Sequence, residues 1–145
     1  KDTLSLHDAL PISMDILVAY DGSSAADKGL TLALEQAKVF KATIHLVTSA
    51  ERTRSEKDLP EVEEAEENLK QAQARLDREG VPCTTHLLIR GMTPGEDVVE
   101  YARDNAVDLI VVGVERQSKV GKLVMGSTAQ FVILKAPCPV LTVKA

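Results

Sequence analysis

Short apolar runs alternate with longer segments of helical periodicity along most of the chain. The apolar runs are typical of strands buried on both faces, and they cover residues 15–20, 43–49, 83–90, 108–113 and 140–143. The segments between them repeat apolar residues every three or four positions, which predicts amphipathic helices. The predicted helices are one that Ser24 caps and three that open at Pro60, at Pro94 and at the Gly126-Ser127 pair.

This alternation predicts a single-domain α/β protein with a doubly wound five-stranded parallel sheet and helices on both faces. The strand order usual for this fold is 3-2-1-4-5. In such a sheet, ligands bind at the carboxyl ends of the strands, where the winding direction reverses. Asp21 and Gly113 both lie at such ends. If strands one and four are neighbours, the two residues are expected to face one shared crevice.

Composition excludes several classes of partner. The 145 residues carry a net charge of −5, and only 3% of them are aromatic. An acidic chain with few stacking groups is not expected to bind nucleic acid. No apolar run approaches the roughly 18 residues that span a bilayer, so no membrane segment is expected. We therefore interpret the protein as soluble and cytoplasmic.

Residues 1–13 differ in pattern from the rest of the chain. They lack the charged and apolar blocks of a signal peptide, and Pro11 interrupts them shortly before Met14. We predict that they are an extraneous or disordered tail and that residues 14–145 form the domain.

The segment from Gly113 to Thr128 has the layout of a phosphate cradle. A buried strand ends at Gly113, a basic loop with Lys119 and Lys122 follows, and Gly126-Ser127 opens a helix. Glycines let the backbone approach an anion closely, and the N–H groups at a helix N-terminus point at it. A plain strand–loop–helix joint with solvated lysines accounts for the same spacing equally well. The spacing alone leaves both interpretations open.

Asp21 and the strand histidines also have simpler interpretations. The Asp21 carboxylate can cap the turn that follows it, although the Gly22-Ser23 pair and the predicted crevice favour a binding role. His45 and His86 lie inside strands with no carboxylate or serine partner at a recognisable spacing, so we interpret them as structural. Without a nucleophile–base pair, strong catalysis is not expected.

Four motifs resemble those of the universal stress protein family, which belongs to the adenine-nucleotide α-hydrolase-like superfamily. They are ILVAYDGS at 16–23, VDLIVVG at 107–113, the Gly-Ser helix start at 126–127 and PCPVLTVK at 137–144. The resemblance covers nearly all of residues 14–145. It implies a cytoplasmic, ATP-binding homodimer that acts in stress response or signalling with little or no hydrolysis.

The resemblance also implies roles for individual residues. Asp21 would contact the ribose, Ser49 would lie beside the adenine, and the glycines near the last helix would hold phosphates. The cofactor-binding residues that it implies are Ala19, Tyr20, Asp21, Ser49, Val112, Gly113, Arg116, Lys122, Gly126, Ser127 and Thr128. ATP, with or without Mg²⁺, is the implied cofactor. The implied dimer contact is the last strand, through Val140, Leu141, Thr142 and Val143.

Arg116 departs from the family pattern. The nucleotide-binding signature is Gly, two residues, Gly, nine residues and then Gly-Ser or Gly-Thr. Gly113 and Gly126-Ser127 match it, but Arg116 replaces the second glycine. The replacement removes a residue that tolerates positive φ, whereas an arginine can itself hold phosphate through two parallel hydrogen bonds. Two hypotheses therefore remain open: an ATP-binding protein, and an interaction module that binds no nucleotide. A third, an enzyme that acts on an adenylate substrate, is disfavoured.

Overall fold

Strands and helices alternate along the residues that the computed structural model describes, which are 14–50, 59–117 and 123–145. The main sheet contains β1 (Asp15–Ala19), β2 (Thr43–Ser49), β3 (Cys83–Leu88), β4 (Leu109–Gly113) and β7 (Val140–Val143). The helices are α1 (Ser24–Phe40), α2 (Leu59–Arg78), α3 (Pro94–Asp104) and α4 (Ser127–Lys135). A separate antiparallel pair consists of β5 (Glu115–Gln117) and β6 (Leu123–Met125). The predictions for residues 1–13 and for Lys122 lie outside the described residues.

The five strands of the main sheet are parallel and stand in the order β3-β2-β1-β4-β7. Counted by themselves they have the predicted order 3-2-1-4-5, so the fold prediction is confirmed. β1 is the central strand, with β2 on one side and β4 on the other. The winding direction of the chain therefore reverses between β1 and β4.

Two apolar layers cover the faces of this sheet. On one face, Val18 and Leu46 belong to a buried cluster with Leu30 of α1 and Leu76 of α2. On the other, the neighbouring strand positions contribute to a second cluster, with α3 and α4, that includes Leu17, Val47, Val98 and Val132. Alternate residues of the central strands are thus buried on opposite faces, which accounts for their continuous apolar runs. Among the described helices, none is both long and apolar enough to cross a membrane.

Two local predictions from the sequence were wrong. Ser23, not Ser24, caps α1: its backbone is extended, with φ −73° and ψ 165°, and its side chain accepts a hydrogen bond from the Ala26 N–H. Two adjacent serines satisfy the capping preference equally well, so sequence could not separate them. The strand pair β5–β6 was missed as well, because strands of three residues are too short to show a period.

Helix α1 packs against the end of β4 at Gly113. A Cβ atom placed on Gly113 would lie 2.7 Å from the Ala25 Cβ and 3.4 Å from the Ala25 carbonyl carbon. Real Cβ atoms essentially never approach so closely, so only glycine permits this helix–strand contact without a shift. The first turn of α1 is thereby held directly against the carboxyl end of β4.

We predict that Gly113→Ala lowers the free energy of unfolding by about 1–3 kcal/mol, because the new methyl group overpacks this contact. Urea unfolding would measure the loss. In an Ala25→Gly background, the atom that the methyl group meets is absent, and the same substitution should cost less. Equal costs in the two backgrounds would contradict this explanation.

A polar cluster on the α3 side of the sheet surrounds His45. The ring Nε2 lies 2.9 Å from Asp15 Oδ1, and Nδ1 lies 2.8 Å from the Tyr101 hydroxyl. The ring of His86 stacks on His45 with 6.2 Å between the centroids. His45 therefore does have a carboxylate partner, contrary to the sequence interpretation, because Asp15 is 30 residues earlier and reaches it only through the pairing of β1 with β2.

Protonation of His86 is predicted to destabilise the fold. Burial first, and then the neighbouring His45, lower the pKa of His86 from its ordinary value of 6.5. The unfolded chain therefore binds this proton more readily than the folded protein does. Stability should be complete above the ordinary pKa of 6.5 and should fall as the pH drops below it.

Urea unfolding at about pH 7.5 and pH 5.5, which bracket the ordinary histidine pKa, checks this. His86→Asn should show a smaller loss of stability between the two values than the unmodified protein. Loss of the same size in both would exclude His86 as the source.

Candidate functional site

A cavity of about 180 Å³ opens at the carboxyl ends of β1, β2 and β4. It lies at the point where the winding direction reverses, which is where ligands bind in open parallel sheets. Seven of the predicted binding residues line it: Ala19, Tyr20, Asp21, Ser49, Val112, Gly113 and Thr128. The topology thus brings together residues that are up to 109 positions apart in the chain (19 and 128).

Asp21 lies in the turn between β1 and α1. Its Oδ1 accepts a hydrogen bond of 2.9 Å from the Ser23 N–H, which is the turn-capping role that the sequence allowed. The side chain is exposed and lines the cavity, and no described residue hydrogen-bonds its Oδ2. One oxygen therefore shapes the turn while the other is available to a ligand.

Gly22 keeps this turn close to helix α2. Its φ of +80° belongs to the region that favours glycine, and a Cβ there would lie 2.7 Å from Nδ2 of Asn68. The conformation therefore favours glycine at this position, whereas an added methyl group would meet only the movable end of the Asn68 side chain. Asn68 becomes a wall of the site because of this close approach.

The Tyr20 side chain is engaged on the α1 side of the sheet. Its hydroxyl donates a hydrogen bond of 2.5 Å to Asp27 Oδ1. Burial and this bond raise the pKa of Tyr20 to about 12. The Tyr20 carbonyl also accepts from the Thr48 hydroxyl at 2.5 Å. Tyr20 therefore connects the end of β1 to α1 and to β2 next to the cavity.

Helix α4 begins without a side-chain cap and reaches the cavity at Thr128, whereas the predicted residues Gly126 and Ser127 line neither cavity. Gly126 is its N-cap residue and supplies no side-chain hydrogen bond, whereas Ser23 caps α1 and a Thr93–Glu96 capping box closes the start of α3. The first N–H groups of a helix have no partner within it. At α4 these groups belong to Ser127, Thr128 and the residue after them, and no side chain of the N-cap satisfies them. This end of the site can accept an anion.

Arg116 lies in β5, where its Cα pairs with that of Val124 in β6. A β-strand is an extended conformation that any L-residue adopts. The position therefore does not demand the positive φ for which glycine is suited, and the substitution of arginine causes no backbone strain. Lys122, the other basic residue predicted for the site, lies outside the described residues.

A second cavity of about 630 Å³ adjoins the first and shares Asp21, Thr48, Ser49 and Pro94 with it. Its further wall comes from α2 and includes Glu61, Glu64 and Asn68. Glu61 and Glu64 are exposed to solvent and also line this cavity, because α2 packs next to the end of β2.

Asp97 lines neither cavity but contacts Ser49, which lines both, and the sequence did not predict this role. Its side chain is 0% exposed, and it accepts hydrogen bonds from the Ser49 hydroxyl at 2.7 Å and from Arg90 Nε at 2.6 Å. Arg90 Nη2 also donates to the Asp97 carbonyl at 3.2 Å. The three residues come from β2, the β3–α3 loop and α3, so no sequence spacing connects them. The signal present was Asp97 itself, next to Val98 and Val99 on the apolar face of a helix.

The fold and the site define a doubly wound α/β protein with a crevice at the switch point, an acidic wall and an uncapped helix start. Comparison with known proteins agrees with this class. The model of the universal stress protein family matches residues 14–144. The chain belongs to the universal stress protein family.

Individual relatives cover nearly the whole chain. A curated universal stress protein of Thermus aquaticus is 34% identical over 134 residues, which are 89% of this chain and 97% of the relative. The structure of a universal stress protein from Archaeoglobus fulgidus superimposes with a TM-score of 0.77 and 32% identity, covering 91% of this chain and 98% of the other. The universal stress protein from Archaeoglobus fulgidus in complex with dAMP gives a TM-score of 0.72 and 29% identity, with the same coverage.

Proposed function

We propose that the protein binds an adenine nucleotide, ATP, in the cavity between the ends of β1, β2 and β4. The observation that carries this proposal is the uncapped start of α4, which lies on the same cavity as the exposed carboxylate of Asp21. The N–H groups at the start of α4 are suited to phosphate, and the Asp21 carboxylate is suited to the hydroxyls of a ribose. The relative that was solved with dAMP shares this fold at 29% identity.

The distribution of charge supports one orientation of the nucleotide. Asp21, Glu61 and Glu64 line the α2 end of the site, where a phosphate would meet like charge. The partial positive charge of the α4 N-terminus lies at the β4 end. One arrangement keeps the phosphates away from these carboxylates. In it, the phosphates lie at α4, the ribose at Asp21 and the base at the end of β2.

We place the base beside Ser49 and Pro94, which line both cavities. Among the described residues, no group of three or more His, Cys, Asp or Glu side chains is arranged to hold a metal ion. Mg²⁺, where it accompanies ATP, would then be carried by the phosphates and water, as is usual for this ion.

The proposed role is that of a cytoplasmic nucleotide-dependent sensor in stress response, with little or no hydrolysis. The described crevice offers hydroxyls and carboxylates, and the Asp15–His45 pair lies near the opposite ends of the strands. That pair is four residues, or about 13 Å along β2, from Ser49. It therefore does not face the proposed phosphate position.

ATP is predicted to stabilise the protein against thermal unfolding. At a concentration of 100 times Kd the expected gain is about 2.7 kcal/mol. Asp21→Asn keeps an oxygen for the Ser23 N–H but removes the charge, so affinity should fall about tenfold, the loss of one hydrogen bond to a charged group, while unliganded stability changes little. Asp21→Ala should lose both affinity and turn stability.

The same titration decides between the hypotheses. Absence of any shift with AMP or ATP at millimolar concentration, in the presence of Mg²⁺, would exclude nucleotide binding and favour an interaction module. Arg116→Gly is the informative companion variant. If it creates ATP binding that the native chain lacks, arginine at this position blocks the nucleotide. Multiple turnovers of ATP per protein would instead favour an enzyme.

We also propose that the protein forms a homodimer through β7. This strand is at one edge of the sheet. The Ile110 N–H donates to the Pro139 carbonyl and the Val114 N–H to the Val143 carbonyl, both at 3.0 Å. Backbone groups of successive strand residues point to opposite edges, so the N–H and C=O of Thr142 point away from β4. They are available to an identical strand of a second copy.

Thr142→Pro is predicted to convert the dimer into a monomer. Proline removes the outward N–H without touching the bonds to β4, and it is tolerated on edge strands. Thr142→Val, which keeps the N–H, is the matched control and should remain dimeric. Sedimentation equilibrium gives the mass of each variant, with circular dichroism to show that both are folded. A dimeric Thr142→Pro variant would contradict pairing through β7.

A further inference from the structure

The buried carboxylate of Asp97 controls the hydrogen-bonding state of Ser49. Asp97 is the buried charged side chain of the described core. A charge that is removed from water needs partners to compensate for lost hydration. Arg90 supplies one through its ion pair with Oδ1, and the Ser49 hydroxyl supplies another at Oδ2. Arg90 is itself held in place by the additional bond from Nη2 to the Asp97 carbonyl.

This arrangement fixes the direction of the Ser49 hydrogen. A serine hydroxyl has one hydrogen and two lone pairs, whereas a carboxylate paired with arginine only accepts. The hydrogen in the 2.7 Å contact between Ser49 and Asp97 must therefore belong to Ser49. Ser49 also lines both cavities. It presents lone pairs and no hydrogen to a ligand there.

We propose that Ser49, positioned by Asp97 and Arg90, selects a base that carries an amino group at purine C6 over one that carries a carbonyl. The proposal rests on the nucleotide binding proposed above, with the base at the end of β2. An acceptor-only oxygen pairs with the N–H of an amino group. It repels a carbonyl oxygen at the same position, because neither partner then supplies a hydrogen. Adenine is therefore bound more tightly than hypoxanthine or guanine.

The base end of the site is identified by position as well as by charge. The α4 start lies next to β4, and Ser49 ends β2, with β1 between them. Neighbouring strands are about 4.8 Å apart, so the two sites are separated by roughly 10 Å across the sheet. A nucleotide with its phosphate at Thr128 and its ribose at Asp21 therefore extends its base toward Ser49.

Isothermal titration with AMP and IMP tests this directly, because the two ligands share ribose and phosphate and differ only in the edge of the base at positions 1 and 6. The unmodified protein should bind AMP at least about tenfold more tightly than IMP, the discrimination that one misplaced hydrogen bond produces. Purine riboside 5′-monophosphate, which has no group at position 6, should lie between them.

Two variants probe the mechanism. Ser49→Ala removes the acceptor, and the preference for AMP over IMP should fall to about threefold or less, within the range of a single weak contact. Asp97→Asn presents an amide that can donate to Ser49, which frees the serine hydrogen for the ligand. The affinity for IMP should then rise relative to the affinity for AMP. A merely structural role of Asp97 would weaken both ligands together.

Ser127→Ala is the matched control, since it also replaces serine by alanine but at the phosphate end of the site. It should weaken AMP and IMP by the same factor and leave their ratio unchanged. Thermal unfolding of each variant without ligand shows which are folded. Because Ser49→Ala leaves the Arg90–Asp97 pair in place, it remains informative even if Asp97→Asn does not fold.

The outcomes separate the two proposals. If neither AMP nor ATP binds the unmodified protein, nucleotide binding itself is wrong. Equal affinity for AMP and IMP would overturn the selectivity proposal and leave nucleotide binding intact. Retention of a tenfold preference in Ser49→Ala would likewise overturn it, because another group would then be reading the base.

Discussion

The parallel pairing of β1 with β4 is the constraint on which the site depends. Ile16, Leu17 and Val18 register with Leu109, Ile110 and Val111, and both strands are buried at the centre of the sheet. The turns that follow them diverge to opposite faces, which opens a crevice between them. Gly113 sharpens this geometry because it lets α1 approach β4 to within contact of Ala25. The positions of Asp21, Gly113 and Thr128 follow from that pairing, and that of Ser49 follows from the pairing of β1 with β2.

Charge within the crevice is arranged in one direction. The carboxylates of Asp21, Glu61 and Glu64 lie toward α2, and the free N–H groups of α4 lie on the opposite side. A ligand with an anionic end and an uncharged end is oriented by this asymmetry before any specific hydrogen bond forms. The buried carboxylate of Asp97 acts in a similar way from the core. Because it accepts the hydrogen of the Ser49 hydroxyl, that hydroxyl has only lone pairs left for a ligand.

Sequence periodicity predicted every strand of the main sheet and all four helices. The bounds of β2 and β7 agree with the predicted runs, and α3 begins at Pro94 as expected. The failures were local: Ser23 and Ser24 compete for one cap, and β5 and β6 are only three residues each. In these cases the residue types alone did not decide which serine caps the helix or whether the short strands form. The β5 backbone also shows that Arg116 needs no positive φ, which the family spacing alone could not indicate.

The sequence by itself determined the fold class and the order of the main-sheet strands and helices, because buried parallel strands and amphipathic helices leave periodic patterns in the chain. The family was indicated separately, by the resemblance of four short motifs. It also pointed to Asp21, Gly113 and the Gly126-Ser127 pair, because turns and helix starts require particular residue types. Only the tertiary structure decided that Glu61 and Glu64 face the site, that His45 meets Asp15, and that Asp97 holds Ser49. Those contacts join distant segments through strand pairing and helix packing. A hydrogen bond between such residues depends on where the whole sheet places them, and no local spacing encodes that.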